Sequence, residues 1–292
     1  MLVCHHQFGV AAQSRLERIH GPIMTAAPPR KAQPVVVRPS MQTVAALRAV
    51  LREALAHALA NAPGAAHGAD PEYLHQMRVG TRRLRAALRA SRGLWRKDDV
   101  SALRRGLRKL GAASGPARDW DVQYRRLGTS LRARASVRRR SAHAALRRAL
   151  PALSGWKVPR EIDASPPPLP EYARDVLERL DAGVRRRAAR IDWSDAQARH
   201  ALRIRLRRLR YAAEFMRGAF PRVDASALIA ALKELQNVLG ELNDVDVGRR
   251  LRAELAAPAV RPRTRERRLL AHLPAAWRRF ATAPRFWRKI ER

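Results

Sequence analysis

From Met41 onward, apolar residues recur every three or four positions, the spacing of a helix face turned towards a core. Val44, Leu47, Leu51, Leu55 and Leu59 mark a first helix, closed by Asn61, Pro63 and Gly64. Asp70 ahead of Pro71 is an N-cap followed by a first-turn proline. It predicts a second helix from about Pro71 to Trp95, with an apolar seam at Leu74, Met77, Thr81, Leu84 and Leu88. A third helix runs through Leu103, Leu107 and Leu110 to a break at Gly111–Pro116. A fourth opens at Asp119, read as its N-cap with Asp244 in the same role later on, and continues towards Leu150. Strand patterning is confined to Val35–Val37, which has no partner run. The expected fold is all-α.

Breaks in this pattern divide the chain. Residues 1–40 carry Pro22, Pro28, Pro29, Pro34 and Pro39 with little periodicity and read as a flexible tail. Residues 41–150 form a first helical bundle, and residues 151–170, with Pro159 and Pro166–Pro168, a semi-rigid linker. Residues 171–292 form a second bundle. The two repeat each other: the run from His75 through Arg78, Arg82, Arg83, Leu84 and Arg85 returns as His200, Arg203, Arg207, Arg208, Leu209 and Arg210, an offset of 125 residues. Arg118-Asp119 and Asp121-Val122 return as Asn243-Asp244 and Asp246-Val247 at that same offset. Further on, the register slips: Trp156-Lys157 matches Trp287-Arg288 at 131. Two pseudo-symmetric four-helix bundles are the simplest architecture.

Charge changes the picture. Against 25 Asp plus Glu stand 60 Lys plus Arg, for a formal net charge of +35, and all but six of those cations are arginine. Guanidinium stays charged and offers forked donors suited to phosphate. A polyanionic partner is implied, while 46% hydrophobic content argues against a disordered chain. The single cysteine, Cys4, forms no internal disulfide, and there is neither a zinc-like Cys/His spacing, nor a secretory leader, nor an 18-residue apolar run, so a cytoplasmic protein is expected.

Placement sharpens the charge. At 100° per residue, His75, Arg78, Arg82, Arg85, Arg89 and Arg92 share an arc of about 100°, beside the apolar seam. The row spans roughly 26 Å, enough for several phosphates. His200, Arg203, Arg207 and Arg210 repeat its phases, with Glu214 where Arg89 stands in the first copy. Like charges three and four apart repel, yet neither Asp nor Glu interrupts residues 75–92 or 196–210. A merely solvated face does not predict that placement twice over.

The doubled His-x-x-Arg-x-x-x-Arg-Arg-Leu-Arg motif, with Leu209-Arg210-Tyr211, Glu214, Arg118-Asp119 and Leu239–Asp244, resembles the CHAD family, the conserved histidine α-helical domain. The resemblance covers about residues 41–290. It implies two four-helix bundles facing a basic channel, binding of inorganic polyphosphate, and association with polyphosphate granules. Gly80 inside the first motif helix departs from the regular pattern, at a cost of about 1 kcal/mol against alanine.

A polyphosphate receptor needs fixed cationic donors and little else. On this reading Arg78, Arg82, Arg85 and Arg89 face Arg203, Arg207 and Arg210 across a groove. Arg83 and Arg208, off the row, serve its rim or a structural pair. His75 and His200 stand at its mouths and donate to phosphate, more strongly when protonated, or else cap their helices; no second ligand at metal spacing accompanies either. Asp121 and Asp246 are candidates to orient groove arginines, and Glu214 is a groove arginine's partner. The six tryptophans do not interleave with the row and read as packing residues. A nucleic-acid binder is the alternative, since charge alone supports it equally, but no DNA or RNA module is recognisable. An enzyme would require a carboxylate metal cluster or a phosphate loop, and Gly-x-x-x-x-Gly-Lys-Ser/Thr is absent; no catalytic residue and no cofactor are expected.

Overall fold

A computed structural model describes residues 28–163, 165–257 and 263–288. In the first half, α1 (Thr43–Ala60), the short α2 (Ala62–His67), α3 (Pro71–Ala90), α4 (Lys97–Tyr124) and α5 (Thr129–Ala149) follow one another. The second half holds α6 (Leu169–Ala188), α7 (Ala196–Met216), α8 (Ser226–Glu254) and α9 (Arg263–Thr282). Short 3₁₀ turns lie at Leu150–Leu153, Arg217–Ala219 and Phe286–Arg288. The fold is all-α: among the described residues, β pairing is limited to one isolated bridge between Trp95 and Glu161.

Local chemistry sets the ends. Asp70 accepts from the Glu72 N–H at 2.8 Å and starts α3; Asp195 does the same for α7 through Gln197. α3 stops at Ala90 rather than Trp95. There the Ser91 hydroxyl donates to the Ala87 carbonyl and accepts from the Trp95 indole at 2.6 Å, and Gly93 takes φ 92°.

The expected break at Gly111–Pro116 is absent. α4 runs straight through it, although Pro116 lacks the N–H that would bond Ala112, and the chain turns only at residues 125–128. Gly111 serves close approach instead, since a Cβ there would lie 2.6 Å from the Arg85 guanidinium. Asp119 and Asp244 consequently lie inside α4 and α8 and cap nothing. Gly80 has a similar cause: its Cβ would meet the Ala58 backbone at 2.6 Å, so α1 and α3 cross at that glycine.

The main core does not respect the division into halves. Leu47 and Leu51 of α1 and Leu84 and Leu88 of α3 belong to the same buried cluster as Leu177, Leu206, Leu232, Phe280 and Trp287. A second cluster joins Leu74, Met77, Leu110 and Leu146, and a third packs Trp120 and Leu131 against Leu251 and Leu255. The linker is tied back as well: Arg96 N–H donates to the Arg160 carbonyl, Arg160 grips Asp99 through two 3.0 Å bonds, and Thr43 donates to Pro167.

The flexible tail expected over residues 1–40 needs correction at its inner end. Residues 28–40 are docked on α1. Arg30 exchanges two 3.0 Å backbone bonds with the buried Asn61 side chain, its guanidinium pairs with Glu53 at 2.6 Å, and Val37 is buried. Proline kept this strap from reading as structure, because an extended segment held by side-chain bonds has no periodicity. Residues 1–27, with Cys4, lie outside the described residues.

Candidate functional site

α3 and α4 lie antiparallel. Arg85 donates to the Leu107 carbonyl, Arg78 reaches Ser114 Oγ at 2.9 Å, and Arg118 reaches the Pro71 carbonyl at 3.4 Å. α7 packs against α3, so that Arg82 comes close to Arg207, Arg203 and Tyr211. Between the three helices lies a cavity of about 390 Å³, lined by Arg82, Arg85, Arg89, Arg104, Arg108, Arg207 and Arg208, with Tyr211 and apolar side chains between them. No carboxylate is in its wall.

Electrostatics record the crowding. Burial, followed by the charge of Arg82, brings the Arg207 guanidinium down to about 9 and Arg78 to about 10. Arg85, Arg203 and Arg208 are lowered too, again by burial first and then by neighbouring arginines. Burial alone would raise the Tyr211 phenol, but Arg82 and Arg210, with a hydrogen bond to Arg82, outweigh it and hold the group below its ordinary value. Buried Nε groups of Arg82 and Arg203 have no hydrogen-bond partner among the described residues. Buried donors without partners cost free energy, as do like charges held together in a low dielectric. An anion placed among them relieves both costs.

Not every expected site residue lies in this wall. Arg83 is tied to Glu214 at 3.4 Å and lies 5.0 Å from the Phe215 ring. Arg210 bonds Glu214 at 2.5 Å and Gln236 at 3.0 Å and lies over Tyr211. Glu214 is thus a partner of the motif arginines, as expected, but it holds them out of the cavity. Arg78 and Arg203 stand one turn earlier on α3 and α7, outside this wall and near Asp119 and Asp244 respectively.

The histidines mark the other end of the row. His75 is half-buried and held below its ordinary value by burial and then by Arg118. His200 is exposed, with Nδ1 2.9 Å from Asn243 Oδ1. Beside them the two halves exchange ion pairs: Asp119 of α4 with Arg250 of α8 at 3.1 Å, and Asp244 of α8 with Arg126 at 3.4 Å. Burial raises the Asp119 carboxyl. Asp121 and Asp246 do not orient groove arginines. Asp121 binds Arg139 and His143 of α5, and Asp246 binds Arg199 and Arg249.

Sequence reasoning missed Arg104, Arg108 and Tyr211. The two arginines are four apart on one face of α4, a visible signal, but only packing shows which neighbour that face meets. None of the six tryptophans lines the cavity; Trp95, Trp120 and Trp287 are buried. Among the described residues, no group of three or more His, Cys, Asp or Glu is placed to hold a metal, and no helix is long and apolar enough to cross a membrane.

No curated protein matches the chain. PptA from Streptomyces chartreusis shares the fold at TM-score 0.58 and 18% identity, over 85% of this chain and 100% of that one. The crystal structure of the CHAD domain from the plant Ricinus communis aligns at TM-score 0.66 and 29% identity, over 88% of this chain and 97% of that one. The family model described as the CHAD domain matches residues 49–253, which take in both arginine rows and the helices that form the cavity, and the chain therefore belongs to the CHAD domain family.

Proposed function

We propose that this protein binds inorganic polyphosphate, without chemical turnover, in the arginine-lined groove between α3, α4 and α7. The observation that carries the reading is the acid-free cavity wall with its seven arginines. Polyphosphate is a flexible polymer with about one negative charge per phosphate and no bases, so fixed guanidinium forks satisfy its oxygens without any other recognition. Burial of Arg78, Arg203 and Arg207 makes the empty groove electrostatically costly and its neutralisation favourable. Seating at polyphosphate granules in the cytoplasm follows from such binding. Nucleic acid fits less well. A single strand is held through its bases by aromatic platforms, and the groove offers Tyr211 alone, itself buried under Arg82 and Arg210.

The test is displacement of labelled long-chain polyphosphate at fixed, near-physiological salt. Unlabelled polyphosphate is expected to compete at much lower phosphate concentration than duplex DNA or single-stranded RNA; equal competition per phosphate would leave a general polyanion binder. Replacing Arg82 and Arg207 together with alanine is expected to weaken binding by about 10² or more, and replacing the exposed Arg267 and Arg268 of α9 far less.

A further inference from the structure

The sequence repeat supplies an internal control for the groove. Shifted by 125 residues, the positions of Arg89, Arg104 and Arg108 become Glu214, Ile229 and Lys233. The first half therefore carries three cations flanking the motif arginines where the second carries one cation, one carboxylate and one aliphatic side chain. Glu214 does more than withhold charge. It ties Arg210 at 2.5 Å and Arg83 at 3.4 Å, and Arg210 is bonded in addition to Gln236. The first-half counterpart of Arg210 is Arg85. Its hydrogen bond goes to the neutral Leu107 carbonyl, so its charge is uncompensated and it stays in the cavity wall. Arg104 and Arg108 are exposed on α4 beside it.

We infer that the groove is one-sided: Glu214 closes it towards the second half, and Arg104 and Arg108 carry it outward along α3 and α4. A phosphate chain then starts between Arg82 and Arg207 and leaves past Arg85, Arg89 and Arg104. The physical reason is local. A chain turning the other way meets a carboxylate whose neighbours are already neutralised, losing attraction and gaining repulsion with each phosphate. This rests on the polyphosphate reading above and names the residues that give the bound chain its direction.

Two double variants with the same change of charge test it: Arg104→Ala with Arg108→Ala in the first half, and Arg217→Ala with Lys233→Ala on exposed positions of the second. With inorganic polyphosphate of defined length, the first pair is expected to weaken binding about five-fold or more and to flatten the salt dependence by about two counterions. The second pair should change affinity by less than about two-fold, as unspecific surface charge would. Equal losses overturn the one-sided groove. Glu214→Gln, which keeps the side chain's shape, is expected to strengthen binding about three-fold by freeing Arg210; unchanged or weaker binding in a variant with wild-type melting overturns the role of Glu214. The Arg82→Ala/Arg207→Ala variant separates the two levels. If it binds normally, the groove reading itself fails; if it loses binding while the two surface pairs behave alike, only the direction fails.

Discussion

At the scale of single residues, identical arginines in one motif do different work according to what lies opposite. Arg82 and Arg207 stand half-buried near each other without an acid in the cavity wall, whereas Arg83, one residue from Arg82, is neutralised by Glu214 and covered by the Phe215 ring. Arg83→Ala is accordingly expected to lower unfolding free energy by about 1–3 kcal/mol, read by urea titration, with polyphosphate affinity kept within roughly two-fold. His75 yields a pH prediction. Burial and Arg118 hold its folded pKa below the ordinary 6.5, so the unfolded chain takes up more protons as pH falls through that value. Stability of the free protein must then decline on acidification below pH about 6.5. His57, lowered first by burial, acts with the same sign. His75→Gln should reduce this decline in thermal melts without abolishing it. His75 lies outside the cavity wall, at the end of the row away from the proposed course of the phosphate chain, so polyphosphate affinity should change little between pH about 7 and 5.5; a tightening on acidification that His75→Gln abolishes would show that the imidazole faces the ligand.

Elements depend on close approaches that helix propensity does not describe. Gly80 looked like a weak point of α3, yet the α1 backbone passes so near that a Cβ would lie 2.6 Å from Ala58 N. Gly80→Ala should therefore destabilise by about 1–3 kcal/mol through overpacking, although alanine is the better helix former; a stabilised variant in chemical denaturation would disprove the crossing. The N-cap at Asp70 and the apolar seams of α1 and α3 were legible, because caps and periodicity are local signals. The continuity of α4 through Pro116 was not: local rules favour a break, and packing against α3 and α5 overrides it. The strap of residues 28–40 was equally hidden, since its hold comes from Asn61 and Glu53, bonded to residues twenty or more positions earlier.

For the whole molecule, a core shared by both halves has to restrain a groove of like charges. The free protein should gain stability from added salt, by screening, and gain more from polyphosphate. At free ligand near 100 times Kd the gain is about 2.7 kcal/mol, visible as a raised melting midpoint. An unchanged midpoint under saturating polyphosphate would rule out binding to the folded state. Because Leu47 and Leu84 lie in one cluster with Leu206 and Phe280, the melt is expected to be a single transition; two separated transitions would restore the picture of independent bundles. The exchanged pairs Asp119–Arg250 and Asp244–Arg126 tie α4 and the turn that follows it to α8 beside the histidines.

The sequence by itself determined the helical class, the doubled motif, the phase of the arginine rows and the excess of positive charge. All of these are periodic or compositional properties, which a chain carries locally. Only the tertiary structure decided which arginines meet: that α4 adds Arg104 and Arg108 to the wall, that Glu214 withdraws Arg83 and Arg210 from it, and that Asp121 and Asp246 serve other helices. Those outcomes depend on distances between residues remote in sequence, and at such range a guanidinium beside a carboxylate and one beside another guanidinium are chemically different groups.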